Sequence, residues 1–209
     1  MGDLHGSAPD THEVALVLID VINDLEFPEG DELLARARPM ASALRALKRR
    51  CKAAGIPAIY VNDNFGRWRS DFNQQVQHCL RDGVRGRPIV EQLLPEDDDY
   101  FVLKPMVSGF FSTTLHLLLR HLESKTLILT GLATNICVLY TAVDAHMRGF
   151  ELIVPGDCAA ANTGEEHAAA LDQLRRVLGA DVRPSRAIAL PPARARPLSD
   201  GAAPPPSPR

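Results

Sequence analysis

Residues 126–157 read TLILTGLATNICVLYTAVDAHMRGFELIVPGD and contain an apolar run, a helical pattern and a second apolar run. The runs at 126–132 and 151–157 lack the in/out alternation of a half-exposed strand, which is typical of parallel strands covered by helices on both faces. The pattern between them predicts a helix over 135–147 that ends before Gly149. A strand, a helix and a strand in this order predict an α/β fold with a parallel sheet.

The same alternation extends in both directions along the chain. Apolar runs at 14–21, 57–63 and 100–104 predict further strands, and a short strand is expected around 180–183. Amphipathic patterns predict helices over 31–54, 112–123 and 165–178. The chain is therefore predicted to form a three-layer α/β/α sandwich of the Rossmann-like type.

Length and composition exclude several classes of protein. The 209 residues are 45% hydrophobic and 23% charged, which is typical of one globular domain. The net charge of −3 gives no basic excess for phosphates, so we expect no nucleic-acid partner. No apolar stretch approaches the roughly 20 residues of a membrane helix, and the N-terminus lacks the pattern of a signal peptide. These features predict a cytoplasmic protein with no membrane partner and with four free cysteines.

Both ends of the chain are expected to be disordered. Residues 1–12 are polar, and residues 191–209 are rich in Pro, Ala and Arg with little apolar material to bury. The folded domain is therefore predicted over 13–190.

Polar side chains stand where the predicted strands end, which is where open parallel sheets bind their ligands. Asp20, Asp63, Lys104 and Asp157 close four of the strands, and Cys137 follows a fifth at the start of a helix. A helix N-terminus and a nearby ammonium both lower the pKa of a thiol, so we expect Cys137 to be activated as a thiolate. Asp20 is placed to move the thiol proton to a leaving amine. Each residue alone is more often structural, but the three together favour acyl transfer through a thioester.

Three ordered motifs carry a resemblance to a known family. They are VALVLIDVINDL, FVLKPMVSGFFSTTL and LILTGLATNICVLYTAVDAHMRGFELIVPGDCAA. They resemble the isochorismatase-like cysteine hydrolases, a superfamily that includes nicotinamidases and N-carbamoylsarcosine amidohydrolases. The resemblance covers about residues 13–180 and implies a six-stranded parallel sheet with the first strand at its centre. It also implies Asp20 as base, Lys104 as the catalytic lysine, Cys137 as nucleophile, and a homodimer or homotetramer.

The residues before the nucleophile, Gly131 to Thr134, match the family's signature of Gly, an apolar residue, a small residue and Thr. The resemblance implies a cis peptide bond between Leu132 and Ala133. It further implies an oxyanion hole formed by the backbone N–H groups of Ala133 and Cys137, which would stabilise charge on the substrate's carbonyl oxygen.

One branch of the family departs from this sequence. Nicotinamidases carry an Asp-x-His pair after the second strand, whereas this chain has Asp63, Asn64 and Phe65 there. The seven histidines show neither an HxH nor an HExxH pattern. We therefore predict no cofactor and no required metal, with adventitious binding at Asp63 left open.

The resemblance also narrows the reaction. True isochorismatases cleave a vinyl ether and do not carry Cys at the nucleophile position, so Cys137 argues against that activity. The favoured substrate is a small non-peptide amide, carbamoyl or ureido compound. Candidate pocket residues, chosen by position, are Asn23, Phe27, Asn64, Trp68, Phe110, Thr113 and Tyr140. Trp68, between Arg67 and Arg69, suits either the pocket or a subunit interface.

Missing motifs disfavour several other classes of protein. The absence of GxGxxG and of a phosphate-binding loop disfavours a flavodoxin-like or dinucleotide-binding protein, and the absence of GxSxG disfavours a serine hydrolase. A catalytically idle family member that acts as a binding or interaction protein stays an alternative. The intact set of Asp20, Lys104 and Cys137 argues against it.

Overall fold

The computed structural model describes residues 11–66 and 71–192 and contains the predicted parallel sheet. Its strands are β1 (Val14–Ile19), β2 (Ala58–Asp63), β3 (Tyr100–Lys104), β4 (Thr126–Leu132), β5 (Glu151–Ile153) and β6 (Ala159–Ala160). The order across the sheet is β3-β2-β1-β4-β5, with β6 paired to β4, and every pairing is parallel. The first strand lies at the centre, as the resemblance implied.

The sixth strand differs from the predicted one. One edge of β4 pairs with β1 along its whole length, so β5 and β6 share the other edge, β5 at residues 126–128 and β6 at 131–132. The predicted strand at 180–183 is wrong, because that segment contributes only an isolated bridge between Ile153 and Asp181. The strand predicted over 151–157 ends at Ile153, and Asp157 lies in a 3-10 turn. Its carboxylate accepts hydrogen bonds from the Ser185 backbone N–H and hydroxyl, which is a structural role.

Helices cover both faces of the sheet. The face packed by α1 (Gly30–Ala53), α2 (Phe72–Cys79) and α3 (Arg87–Val90) receives Leu16 and Leu18 of β1. The opposite face, packed by α4 (Leu115–His121), α5 (Leu139–Met147) and α6 (Gly164–Leu178), receives Ala15, Val17 and Ile19. Successive residues of a strand point to opposite faces, so the uninterrupted apolar run of β1 supplies both cores. The three-layer α/β/α sandwich is confirmed.

Several predicted boundaries need correction. Helices α2 and α3 were not predicted, and α4 is shorter than the expected 112–123. The expected disorder of residues 1–12 is wrong at its end, because His12 is buried and its backbone N–H donates to Leu122 O at 2.8 Å. The remainder of that segment, most of the tail predicted over 191–209, and residues 67–70 lie outside the described part of the chain. Within the described residues, no helix is long and apolar enough to cross a membrane.

Candidate active site

Asp20, Lys104 and Cys137 meet at the carboxyl edge of the sheet. Asp20 directly follows the central strand β1, and Lys104 is the last residue of β3, two strands away. The Lys104 Nζ atom lies 2.9 Å from Asp20 Oδ2 and 3.5 Å from Cys137 Sγ, and the Cys137 thiol also hydrogen-bonds to the Asp20 carboxylate. An acid, an ammonium and a thiol are therefore in mutual contact.

Cys137 is held by an unusual turn rather than by the expected α-helix. The predicted helix over 135–147 begins as a π-helical turn, Thr134–Val138, and becomes α-helical only at Leu139. The backbone N–H groups of Ile136 and Val138 both donate to Ala133 O, at 3.0 and 3.2 Å. The wider turn places Cys137 beside the sheet edge, and π turns of this kind occur frequently at functional sites.

The peptide bond that precedes this turn, between Leu132 and Ala133, is cis. This is the conformation that the resemblance implied. It lies at the carboxyl end of β4, next to the end of β1, because Gly131 of β4 pairs in register with Ile19.

Asp63 adds a second carboxylate to the site. Its Oδ2 atom lies 3.4 Å from Lys104 Nζ, and its backbone N–H donates to Asp20 Oδ1 at 2.7 Å. The Asp63 Oδ1 atom also accepts from the Phe65 N–H at 2.6 Å. Lys104, which has no exposed surface, is thus held between two carboxylates.

The segment after Asp20 is fixed by the neighbouring strand. Asn62 is fully buried, and its Nδ2 donates to Ile22 O at 2.7 Å. Asp20 itself has a left-handed φ of 50°, which a non-glycine residue adopts only where its surroundings hold it there. The contacts from Asn62 and from the Asp63 N–H supply that support.

The electrostatics of the site differ from the expectation of a ready thiolate. Burial raises the pKa of Cys137, the Asp20 carboxylate raises it further, and Lys104 only partly offsets them, so that the pKa is about 12. Burial also raises the pKa of Asp20, against the opposing effects of Lys104 and of the thiol. The prediction of a lowered thiol pKa is therefore wrong for the free protein, because burial and the carboxylate outweigh the ammonium and the turn. In the free protein Cys137 is therefore a protonated thiol that donates a hydrogen bond to the Asp20 carboxylate.

Lys104 remains charged in this environment. Burial lowers its pKa, but Asp20, Cys137 and Asp63 more than compensate, and the pKa is raised overall. A permanent ammonium beside the sulfur favours the thiolate whenever the proton moves to Asp20.

Asp63 stands where, by the resemblance, nicotinamidases carry the Asp of their Asp-x-His pair, and its surroundings do not favour a cation. Its carboxylate faces the Lys104 ammonium and accepts the Phe65 N–H. Within residues 11–66 and 71–192, no group of three or more His, Cys, Asp or Glu side chains is arranged to hold a metal ion.

The predicted pocket residues fall into different environments. Phe110 is buried in the core below α4 and α5, where it stacks on Phe150 at 6.0 Å, and Thr113 bonds within its own turn to Gly109 O and the Leu115 N–H. Both make structural contacts, and their place in the pocket stays a prediction.

Five further candidates remain. Asn23 accepts from the Leu25 N–H, and Phe27 packs against the α1-side core. Asn64 is buried at the end of β2, where it accepts from the Gly66 N–H, and Tyr140 is exposed on α5, three residues after Cys137. Trp68 lies outside the described residues, with Arg67 and Arg69. All five residues stay pocket predictions.

Two contacts of the site were not predicted. The contact between Asp63 and Lys104 follows from the strand-end rule, since both residues close strands that pair in register. The bond between Thr134 Oγ1 and His167 Nδ1, at 2.8 Å, joins the nucleophile turn to α6 over 33 residues of sequence and has no local signal.

Known proteins are similar to this chain in sequence and in fold. The family model described as the isochorismatase domain matches residues 14–185, which include all six strands and the three residues in contact. The chain is 38% identical over 168 residues to YaaI, an uncharacterized isochorismatase family protein of Bacillus subtilis, covering 80% of this chain and 92% of that protein.

Solved structures of two amidases are also similar. N-carbamoylsarcosine amidase from Thermoplasma acidophilum superposes with a TM-score of 0.65 at 28% identity, over 85% of this chain and 99% of that one. Nicotinamidase PncA from Bacillus subtilis superposes with a TM-score of 0.63, also at 28% identity, over 82% and 99% of the two chains.

Proposed function

This chain belongs to the isochorismatase family, and we propose that it is a cysteine hydrolase that cleaves a C–N bond in a small non-peptide amide, carbamoyl or ureido compound. One observation carries the proposal. The Lys104 ammonium lies within 2.9 Å of the Asp20 carboxylate and 3.5 Å of the Cys137 sulfur, while the thiol bonds to the same carboxylate. This arrangement can move one proton between sulfur and oxygen without leaving the site.

The first half-reaction uses that proton. Asp20 takes it from Cys137 as the sulfur attacks the carbonyl carbon of the substrate, so that a C–S bond forms while charge develops on the carbonyl oxygen. The tetrahedral intermediate then collapses and the C–N bond breaks. Asp20 returns the proton to the departing nitrogen, which leaves as ammonia or an amine, and the acyl group stays on Cys137 as a thioester.

Water completes the cycle. Asp20, ionised again, removes a proton from a water molecule that attacks the thioester carbonyl. The C–S bond breaks, the acid is released and the proton returns to the sulfur. The raised pKa of Asp20 suits this double duty, because a general base works best when its pKa lies closer to the operating pH.

The oxyanion of both tetrahedral intermediates needs donors. We propose the backbone N–H groups of Ala133 and Cys137, which lie at the end of β4 and within the π turn. Losing one such donor typically reduces the rate by a factor on the order of 100 to 1,000. The positive charge of Lys104 lies beside the reacting sulfur and favours its thiolate form.

The substrate range is proposed from the chemistry and from the relatives. A half-buried thiol with a shuttling carboxylate suits an acyl compound whose leaving group must be protonated. The two similar solved structures are, by their names, an amidase of N-carbamoylsarcosine and a nicotinamidase. Small amides and carbamoyl compounds are therefore the first substrates to test.

The test is ammonia release from a panel of nicotinamide, N-carbamoyl amino acids and ureido acids. Cys137→Ser keeps the size of the side chain but removes the nucleophile, and Asp20→Asn removes the proton shuttle. We expect each to lower kcat by about a thousandfold or more, with the melting temperature retained. Cys79→Ser, which changes a buried thiol of α2, is the matched control and should keep its activity.

Two outcomes would contradict the proposal. Turnover of a verified substrate that survives Cys137→Ser would exclude the thioester. A wild-type protein that binds members of the panel but hydrolyses none would favour a catalytically idle binding protein.

A further inference from the structure

The nucleophile turn is joined to α6 by a partly buried hydrogen bond. Thr134, the first residue of the π turn, has no exposed surface, and its Oγ1 lies 2.8 Å from Nδ1 of His167 on α6. Neither residue touches the reacting atoms in the mechanism above. The bond nevertheless ends three residues before Cys137.

The direction of this bond depends on which nitrogen of the imidazole ring carries the proton. A hydrogen bond to the Gly156 backbone acts on His167, and since a backbone carbonyl can only accept, the ring donates to it. Burial lowers the pKa of His167 despite that bond, so the ring is neutral near pH 7. A neutral ring carries a proton on only one nitrogen, and we assign it to Nε2, so that the Thr134 hydroxyl donates to Nδ1.

His167 is anchored to rigid structure. It lies in the first turn of α6, directly after a capping box in which Thr163 and Glu166 satisfy each other's backbone N–H groups. The His167 backbone N–H donates to Thr163 O at 3.2 Å. Gly156, its other partner, opens the 3-10 turn Gly156–Cys158, and its N–H donates to Val182 O. The ring therefore links two fixed segments to the start of the nucleophile turn.

We propose that His167 is a positioning residue: through Thr134 it holds the π turn so that the Cys137 sulfur stays in contact with both Asp20 and Lys104. This inference rests on the proposed function. A thiol displaced by about 1 Å from its base loses roughly a hundredfold in rate, although the residue that moved it never contacts the substrate.

A purely structural role makes a different prediction. A buried hydroxyl and imidazole that only satisfy each other would lower the melting temperature when one partner is removed, and turnover per folded molecule would not change. A positioning role instead changes kcat and the environment of the Cys137 thiol in a protein that is still folded.

The experiment uses three variants of the full chain. Thr134→Val removes the hydroxyl at nearly constant shape, His167→Phe removes the acceptor but keeps a ring, and His167→Asn returns an acceptor oxygen near the position of Nδ1. His146→Asn changes an exposed histidine on α5 and serves as the control. Each variant is assayed for kcat, KM, melting temperature and the rate of iodoacetamide alkylation at Cys137, read by peptide mass spectrometry.

We expect Thr134→Val and His167→Phe each to lower kcat by about tenfold to a hundredfold with KM nearly unchanged. The variant that combines Thr134→Val and His167→Phe should have a kcat no lower than that of either single variant, because both substitutions remove the same bond. Alkylation of Cys137 at pH 8 should become faster, since a loosened turn relieves the burial and the Asp20 contact that raise the thiol pKa. His167→Asn should recover part of both effects, and His146→Asn should show neither.

Three results would overturn the inference. The first is a fall in kcat that is fully explained by a lower melting temperature, and the second is a fall in kcat of the double variant that equals the two single effects combined. The third is a His167→Asn variant whose kcat is as low as that of His167→Phe. Should His167→Phe fail to fold, Thr134→Val decides by itself. If no substrate is turned over, the proposed function fails separately, because the alkylation rates still report whether the turn is held.

Discussion

Asp20 has two opposite effects on Cys137. Its negative charge raises the thiol pKa, which keeps the sulfur protonated in the free protein, yet in the proposed mechanism the same carboxylate removes the proton during attack. The nucleophile is therefore formed together with the new bond and not before it.

This leads to a prediction in which reactivity and turnover change in opposite directions. Asp20→Asn removes the charge that raises the thiol pKa, so the pKa of Cys137 should fall. A fall of one unit makes alkylation at pH 8 about tenfold faster, while hydrolysis is lost with the shuttle. The measurement is the pH dependence of iodoacetamide alkylation for wild type and variant. The buried Cys51, Cys79 and Cys158 are internal controls, and equal or slower alkylation of Cys137 in the variant would contradict the assignment.

Much of the site was predictable at the scale of residues, for a definite reason. Parallel strands end at one edge, so the positions of Asp20, Asp63 and Lys104 in the sequence already placed them together. The sign of the thiol pKa was not predictable. It depends on how completely Cys137 is buried and on which oxygen its proton reaches, and neither property is encoded in the spacing of residues.

At the scale of elements, the ends of β4 and β1 approach each other closely at the site. A Cβ added to Gly131 would meet Ile19 O at 2.0 Å, and Gly131 has a φ of +107°. Only glycine lets the two strands approach this closely, one residue before Asp20 on one strand and two residues before Ala133 on the other.

Gly131→Ala should therefore force the two strand ends apart at the site itself. We expect a marked fall in melting temperature and a loss of kcat beyond what the remaining folded fraction explains. Gly149→Ala is the matched control, since Gly149 also has a positive φ of +81° but no atom within 4 Å of the added Cβ. Gly149→Ala should lower the free energy of unfolding by only about 1 to 2 kcal/mol, which is the cost of a left-handed backbone conformation for alanine, and it should keep turnover. Thermal unfolding and kcat of both variants provide the check, and equal behaviour of the two would contradict this explanation.

The elements that the sequence did not predict share a physical cause. Helices α2 and α3 are short and lie in polar stretches, so each shows few apolar positions from which to read a period. Strand β6 has two alanines, which carry no strand preference, and it pairs only because β5 leaves the end of β4 open. The long apolar strands were predictable because strands that are buried on both faces consist of apolar residues without interruption.

At the scale of the whole molecule, the segments around the site carry exposed apolar side chains. They are Met106, Val107, Phe111, Ile136 and Tyr140, each between 37 and 55% exposed. Met106 and Val107 lie just after Lys104, and Ile136 precedes Cys137. Single exposed apolar residues are ordinary, but several beside one catalytic centre favour coverage by another molecule.

We predict that a second copy of the chain covers these residues, in a homodimer or homotetramer. Met106→Arg combined with Phe111→Arg should shift the protein toward the monomer, because a buried interface does not accept two unpaired charges. Val177→Arg, at a still more exposed position of α6, should leave the assembly unchanged. Light scattering after size-exclusion chromatography gives the masses, and a monomeric wild type would refute the prediction.

The burial of Lys104 between Asp20 and Asp63 also limits how this protein can change over evolutionary time. Replacing the lysine first would leave two carboxylates facing each other, and replacing Asp20 first would weaken the pairing of a cation that has no access to water. Cys137 has no such constraint, since a neutral thiol can be exchanged without stranding a charge. A lineage under relaxed selection is therefore expected to lose its nucleophile before its ion pair, and to keep Asp20 and Lys104 as a remnant of a reaction that it no longer performs.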